Sequence, residues 1–151
     1  MFLGLDLGTS AVKALLADAD GNVVASRSAP LTVERPHQGW SEQDPESWWR
    51  ATQKAVAELK RENPSLLAAV RAIGLSGQMH GLTALDSAME PLRPAILWND
   101  TRSAPQATLM DDTNPEFRAI GGNAVMPGFT APKAVWMAEH EPELLAETSM
   151  I

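Results

Sequence analysis

Three short runs of β-forming residues follow one another between Phe2 and Ala29. Two turn-rich clusters separate them, Gly8-Thr9-Ser10 and residues 18–22. Apolar runs that are bounded by such clusters are typical of strands joined by tight turns. The first thirty residues therefore predict an antiparallel meander, which places a β-sheet at the start of the chain.

The first of these turns has the residue types of a phosphate site. Small residues at Gly8, Thr9 and Ser10 let backbone N–H groups approach an anion closely, and the two hydroxyls add donors. Lys13 adds a positive charge. Asp6 would repel a bare phosphate, so we assign it to a Mg²⁺ ion, as carboxylates hold this ion where it bridges nucleotide oxygens. The turn thus predicts a nucleotide site with a metal ion at Asp6.

An ordinary β-hairpin explains the same residues, because Gly8 and Thr9 also satisfy tight-turn geometry. The turn joins strand to strand, and neither of the Gly-rich phosphate patterns that join a strand to a helix occurs there. The short motif alone leaves both interpretations open.

Composition limits the classes of function. The chain has 151 residues, 44% of them hydrophobic, which is enough for one sizeable core. A net charge of −7 argues against non-specific binding to nucleic acid, which needs clustered Lys and Arg. There is no Cys, so disulfides and thiolate metal sites are excluded. Because neither a signal peptide nor a membrane-length apolar run is visible, we expect a cytoplasmic protein without a membrane partner.

The rest of the chain reads as alternating strands and helices. Asp44 and Pro45 predict a helix start, and Asn63-Pro64 predicts its end. A strand at 72–75 leads into a polar tip at 77–81. After the tip, the pattern predicts the following elements: a β pattern at 82–86, a strand or extended segment at 91–98, and helices at 104–112, 132–140 and 142–147.

Gln78, Met79 and His80 lie where a predicted strand ends and a loop begins, which is a common place for binding residues in α/β sheets. The amide and the neutral imidazole each donate and accept hydrogen bonds, so they suit a polyhydroxylated ligand such as a sugar. The alternative is an interior His80 with Met79 in the core. The three His residues have no ligand spacing, so zinc is not indicated.

Residues 98–102 offer a second set of sugar-binding groups. Trp98 supplies a flat apolar wall beside the carboxylate of Asp100 and the guanidinium of Arg102. Sugars present both C–H faces and hydroxyls, so this combination suits them. The alternative is an ordinary loop in which Asp100 and Arg102 pair with each other.

Five segments together resemble the FGGY family of carbohydrate kinases, and within it the xylulokinases. They are the turn at 6–13, the helix entry at 40–45, the tip at 77–81, the loop at 96–102 and the segment at 127–133. The resemblance extends over essentially the whole chain. Glycerol kinase, gluconokinase and ribulokinase share the D-x-G-T turn, and the Gly-Gln-Met-His-Gly tip favours the xylulokinases among them.

The resemblance implies a ribonuclease-H-like α/β fold, shared with actin, hexokinase and the Hsp70 ATPase, with a mixed sheet and flanking helices. It implies that residues 1–151 form most of the N-terminal domain of a two-domain kinase, whose C-terminal domain is absent from this chain. The implied ligands are ATP, Mg²⁺ and D-xylulose. The implied reaction transfers the ATP γ-phosphate to the C5 hydroxyl of D-xylulose and gives D-xylulose 5-phosphate.

The resemblance also implies roles for individual residues. The ATP phosphates and Mg²⁺ would be bound by the turn, through Asp6, Gly8, Thr9, Ser10 and Lys13. The sugar would contact the tip and the following loop, at Gln78, Met79, His80, Trp98, Asp100 and Arg102. The family's catalytic base is an Asp in a G-G-D-N-type segment, which these 151 residues lack. We therefore assign no catalytic residue here and expect the segment alone to be inactive.

Other functions stay open on the sequence alone. The chain could come from a different FGGY kinase, such as a ribulokinase, glycerol kinase or gluconokinase. A scaffold or chaperone module of the same fold is a second alternative, because fold does not dictate function. A third is a non-catalytic remnant that binds a sugar or a nucleotide. The oligomeric state is also open, with a homodimer among the alternatives.

Overall fold

The computed structural model describes residues 1–151 as six strands and six helices. In chain order, they are β1 (Phe2–Leu7), β2 (Ala11–Ala17), β3 (Val23–Pro30), β4 (Glu42–Gln43), α1 (Pro45–Glu62), α2 (Pro64–Ala68), β5 (Ala72–Gly77), β6 (Ala95–Ile96), α3 (Ala104–Thr113), α4 (Glu116–Gly121), α5 (Thr130–His140) and α6 (Pro142–Glu147). None of these helices has the length and apolar character needed to cross a bilayer. The chain divides into two compact units, which are described in turn.

The first unit comprises Met1–Val33 and Glu46–Gln78, and a four-stranded sheet forms its centre. The strand order is β3-β2-β1-β5. The pairs β1–β2 and β2–β3 are antiparallel, and β5 joins β1 in parallel. The predicted meander and the predicted mixed sheet are both confirmed.

Alternation along β2 explains how this sheet builds its core. Val12, Ala14 and Leu16 are fully buried, and the residues between them are partly or fully exposed. They belong to one apolar cluster with Ala55 and Leu59 of α1, which repeat at helical spacing. The helix predicted from Asp44-Pro45 to Asn63-Pro64 is confirmed, and it covers one face of the sheet.

The second unit comprises Glu34–Pro45 and Met79–Ile151. Its strands β4 and β6 form an antiparallel pair of two residues each. Helices α3 to α6 all belong to this unit. The largest members of its core cluster are Leu82, Ile96, Trp136 and Met137.

Two regions of the second unit differ from the sequence prediction. The expected strand at 91–98 shrinks to β6, because Pro91 and Pro94 have no N–H to give to a ladder. The β pattern at 82–86 forms only isolated bridges, such as Leu82 with Ile96. Helices α2 and α4 were not predicted, because with five and six residues they are too short to show a helical repeat of apolar residues.

Candidate functional site

The β1–β2 connection is a tight hairpin turn within the first unit. The Gly8 N–H donates to the Ala11 carbonyl at 3.1 Å, which closes the turn. A Cβ at Gly8 would come within 3.1 Å of the same oxygen, closer than most real contacts. A small residue is therefore favoured here by the turn itself, and Thr9 and Ser10 occupy its tip. The turn is therefore a β-hairpin, as the alternative interpretation stated. A hairpin turn can also bind a phosphate, so that assignment stays a prediction.

Asp6 and Lys13 lie directly opposite each other in the β1–β2 register. Residues opposed in this way share one face of a sheet, with Cβ atoms about 4.5–5.5 Å apart. The row continues to Ser76 of β5 beside Asp6 and to Ser28 of β3 beside Lys13, and all four side chains are exposed. The sheet thus presents a polar row next to the turn, with one carboxylate and one ammonium.

A Mg²⁺ site at this row would rest on Asp6 alone. The structure contains no group of three His, Cys, Asp or Glu side chains able to hold a metal ion. A Mg²⁺ site at a nucleotide usually has one or two carboxylates, which share the ion with phosphates and water. The exposed Asp6 carboxylate fits that pattern, and the assignment stays a prediction.

Gln78 ends the first unit and points back to the hairpin turn. Its backbone N–H donates to the Leu7 carbonyl at 3.2 Å, which extends the β1–β5 pairing by one residue. Its side-chain Nε2 donates to the Gly8 carbonyl at 3.4 Å. Gln78 therefore lies against the turn that is predicted to hold phosphates, and its predicted contact with a sugar remains untested.

Met79 and His80 lie at the start of the second unit's long segment, and both are exposed. Met79 exposes 67% of its surface, so the alternative in which it belongs to the core is wrong. His80 has φ of +61°, in the left-handed region that only a few per cent of non-glycine residues adopt. Its ring lies against Phe129, with 4.7 Å between the ring centroids. The imidazole is thus accessible to a ligand and supported on one side by an aromatic ring.

Lys133 of α5 holds the backbone on both sides of this ring contact. It is fully buried, and its Nζ donates to the His80 carbonyl at 2.7 Å, to the Gly128 carbonyl, and to the Phe129 carbonyl at 3.4 Å. Burial lowers the pKa of this ammonium to about 8 from its usual 10.5, with opposing smaller effects from Asp100, which raises it, and Arg102, which lowers it. At neutral pH the lysine is therefore still mostly protonated.

Trp98 presents a half-exposed side chain on the same unit. Its backbone carbonyl is approached closely by Gly128, where a Cβ would come within 2.6 Å of the oxygen. The segment around Gly128 also reaches the tip, since the Thr130 hydroxyl donates to the Gly81 carbonyl at 3.3 Å. Residues 128–130 therefore contact both segments that were predicted to bind a sugar.

Asp100 and Arg102 pair with each other in the interior, as the alternative to sugar binding described. Arg102 donates to the Asp100 carboxylate through its backbone N–H at 2.9 Å and its Nε at 3.0 Å, both to Oδ1. Its Nη2 at 2.8 Å and the Ser41 N–H at 2.6 Å both donate to Oδ2. Each oxygen of the Asp100 carboxylate thus accepts two hydrogen bonds. Direct sugar contact by this pair stays a prediction, and the structure shows a scaffolding role.

The pair belongs to a larger buried network. Glu42 forms ion pairs with Arg102 at 2.7 Å and with Arg93, and Arg93 also donates to Glu141 at 2.7 Å. The Arg102 guanidinium lies 3.5 Å from the centroid of the Trp40 ring, within reach of a cation–π interaction. These contacts fix the loop that carries Trp98.

Sequence reasoning did not assign Phe129, Gly128 or Lys133 to the site. The segment 127–133 was noted for its resemblance, without a role for any of its residues. A signal was available, because Lys133 precedes Trp136 and Met137 by three and four residues and so falls on the apolar face of its helix. A lysine on such a face needs partners, here three carbonyls.

The sheet topology and the flanking helices define an α/β domain of the ATPase-like fold found in actin and hexokinase. The model for the N-terminal domain of the FGGY family of carbohydrate kinases matches residues 1–151. The chain belongs to this family. The family resemblance that the sequence predicted is therefore confirmed.

Named relatives agree with this assignment. The chain is 50% identical over 151 residues to a xylulose kinase of Escherichia coli K12, which covers 100% of this chain and 31% of the relative. A solved xyloylose kinase from Brucella ovis is 54% identical, with a TM-score of 0.94 over 97% of this chain and 30% of the other. A solved gluconate kinase from Lactobacillus acidophilus is 26% identical, with a TM-score of 0.89 over 97% and 30%. The chain thus spans about a third of the length of these relatives.

Proposed function

We propose that the whole protein to which this chain belongs phosphorylates D-xylulose with ATP, giving D-xylulose 5-phosphate and ADP. The observation that carries the proposal is the exposed tip, where His80 is accessible and lies against Phe129. The similarity of the chain to a xylulose kinase, at 50% sequence identity, supports the choice of D-xylulose as the substrate. This segment would supply the N-terminal part of the enzyme.

The hairpin turn is proposed to receive the ATP phosphates. Phosphoryl transfer depends on positioning and charge stabilisation more than on covalent chemistry by the protein. Gly8, Thr9 and Ser10 would offer donors to phosphate oxygens, and the Lys13 ammonium would add positive charge. Asp6 would hold Mg²⁺, which when bound with ATP supplies charge neutralisation.

The sugar is proposed to lie against the tip and the tryptophan. The Met79 side chain and the Trp98 ring offer apolar surface to C–H groups, and both are exposed. The His80 imidazole can donate to or accept from a hydroxyl. Gln78 is also proposed to contact the sugar, and within its own unit its amide donates to the Gly8 carbonyl. Asp100 and Arg102 would act mainly by holding the loop of Trp98.

The proposal places the catalytic base outside these residues. Proton acceptance from the C5 hydroxyl requires a base within hydrogen-bond reach of it. Asp6 is assigned to the metal ion, so it does not serve as this base. The base and the adenosine pocket are proposed to lie in the remaining two thirds of the protein. A cytoplasmic location, where ATP is available, and a homodimer stay predictions.

The experiment is a coupled ATPase assay of the full-length protein against D-xylulose, D-ribulose, L-ribulose, glycerol and gluconate. We expect kcat/KM to be highest for D-xylulose. His80→Ala should lower kcat/KM for D-xylulose by about tenfold or more, because a hydrogen bond to the substrate is lost. His37→Ala is the matched control, an exposed histidine of the same unit without a proposed ligand contact. If H80A leaves both the sugar KM and kcat unchanged, the sugar assignment is wrong.

Gluconate phosphorylation is the second candidate, because the gluconate kinase from Lactobacillus acidophilus shares this fold at 26% identity. Its polyol chain presents the same hydroxyl chemistry as a pentulose, but it carries a carboxylate. The exposed tip and Trp98 offer no cation for that charge. The same substrate series decides between the two, since gluconate turnover above that of D-xylulose would favour this candidate.

A further inference from the structure

Lys133 combines full burial with an unusual set of partners. The chain places this lysine in the first turn of α5, and its side chain has no exposure to solvent. The Nζ carries three N–H donors when protonated, and three backbone carbonyls face it. The donors and acceptors therefore match in number, and the ammonium is fully satisfied.

The three carbonyls come from the two segments that meet at the histidine ring. One belongs to His80, which has the left-handed φ of +61°. The others belong to Gly128 and Phe129, and the Phe129 ring supports the imidazole. A single ammonium thus holds the backbone of both members of the ring pair. Loss of the Lys133 ammonium would therefore free the backbone of both His80 and Phe129.

The three hydrogen bonds of Lys133 offset the cost of burying its charge. Burial of an ammonium carries a desolvation cost, and its lowered pKa shows that cost here. An apolar side chain of similar volume would avoid that cost, but it would leave the three carbonyl groups without the ammonium donor. What the apolar side chain cannot do is donate to three carbonyls at once. The contribution that is specific to lysine is therefore the geometry of the loop backbone.

We propose that Lys133 is a positioning residue for sugar binding, which orients His80 and Phe129 through their carbonyl groups. The inference rests on the proposed function for its effect on the sugar, and it concerns a residue that touches neither sugar nor nucleotide. Small displacements of a positioned group have large effects, and about 1 Å can cost up to about a hundredfold in rate. The three hydrogen bonds of Lys133 therefore determine how well His80 is placed to bind the sugar.

The kinetic test uses the full-length enzyme with Lys133→Met, which keeps the volume and removes the donors. We expect K133M to raise the KM for D-xylulose by about tenfold and to leave the KM for ATP within about twofold. Met137→Ala is the matched control, because it opens a cavity on the same helix without touching the carbonyls. M137A should lose stability and keep the sugar KM. Equal sugar KM values for wild type and K133M would overturn the inference.

A double mutant separates positioning from a general structural effect. If Lys133 acts through His80, the K133M change should cost less than about twofold in the H80A background, because coupled residues are not additive. An undiminished tenfold effect in that background would contradict the proposal. Lys133→Gln keeps two donors on a shorter side chain, so it should give a smaller rise in sugar KM than K133M. It replaces K133M in every comparison if that variant fails to fold.

A structural readout keeps this inference distinct from the proposed function. Crystal structures of wild type and K133M without ligands should show His80 leaving its positive φ, or its ring leaving Phe129, in the variant only. An unchanged His80 would overturn the positioning role. If the wild type fails to phosphorylate D-xylulose while K133M still displaces His80, the proposed function is wrong and the positioning role of Lys133 stands.

Discussion

Gly128 is required by the position of a carbonyl oxygen. Its φ is not in the left-handed region, so its own torsion angles would allow another residue. A Cβ would nevertheless come within 2.6 Å of the Trp98 carbonyl oxygen, a distance that real Cβ atoms essentially never show. Because the obstacle is backbone, it cannot move aside as a flexible side chain would. The contact between the two loops therefore depends on one missing methyl group.

We expect Gly128→Ala to lower the free energy of unfolding by about 1–3 kcal/mol, the usual cost of overpacking. Urea denaturation of the full-length protein, followed by tryptophan fluorescence, measures the change. Gly121→Ala is the matched control, because a Cβ there has nothing within 4 Å and no positive φ. A loss for G128A no larger than that for G121A would show that the loops separate without cost.

The candidate site was only partly predictable at the scale of residues. Met79 and His80 were identified because they follow a strand, where binding residues are common in α/β sheets, and both are exposed. Asp100 and Arg102 were identified from the same kind of reasoning, and they are buried in a mutual ion pair. A sequence gives the chemistry of a side chain but not its depth. Depth depends on contacts with residues such as Ser41, which lies 59 positions from Asp100.

At the scale of elements, the β4–β6 pair is too short to stabilise itself. Each strand contributes two residues, whereas strands of about five to six are usual. Glu42 of β4 adds to the stability of the pair through ion pairs with Arg93 and Arg102, and all three side chains are at least nine-tenths buried. The small sheet is therefore stabilised by buried charges.

We expect Glu42→Gln to lower the free energy of unfolding by about 1–3 kcal/mol, since it leaves each of the two buried guanidinium groups with only one of its two counter-charges. Differential scanning calorimetry of the full-length protein is the measurement. Glu62→Gln is the control, because Glu62 pairs with Arg27 near the surface, where such a pair contributes about 0–1 kcal/mol. Similar melting temperatures for E42Q and the wild type would refute the role of this network.

The elements that were predicted correctly are those with local signals. The meander has turn clusters at both connections, and α1 has a proline at each boundary and a buried stripe. The short strands β4 and β6 have no such signal, because they exist only through pairing across more than fifty residues. The parallel pairing of β5 with β1 is also non-local, and it was expected only from the resemblance to a known family.

At the scale of the whole molecule, this chain holds a third of its relatives' length. We expect a polypeptide of residues 1–151 to show no D-xylulose-dependent ATP consumption, because the proposed base lies elsewhere. Its sugar affinity should also be weak. A few neutral hydrogen bonds contribute about 0.5–1.5 kcal/mol each, and association costs about 4–15 kcal/mol in lost freedom.

Titration calorimetry of D-xylulose into this polypeptide tests the second expectation. Heat of binding with a Kd in the micromolar range would show that the segment forms the complete sugar site. The full-length protein, titrated under the same conditions, is the positive control. Circular dichroism of the polypeptide must first show the helices and strands described above.

The exposure of strand β5 affects experiments on the polypeptide of residues 1–151. It lies at the edge of the sheet, every one of its residues is exposed, and Ile73 and Leu75 expose 61% and 75% of their surfaces. It contains neither a charged residue nor a proline, the two features that commonly prevent foreign strands from adding to an edge. We therefore expect a shortened polypeptide to self-associate through this strand as its concentration rises, and Leu75→Lys is the first substitution to make for keeping it monomeric.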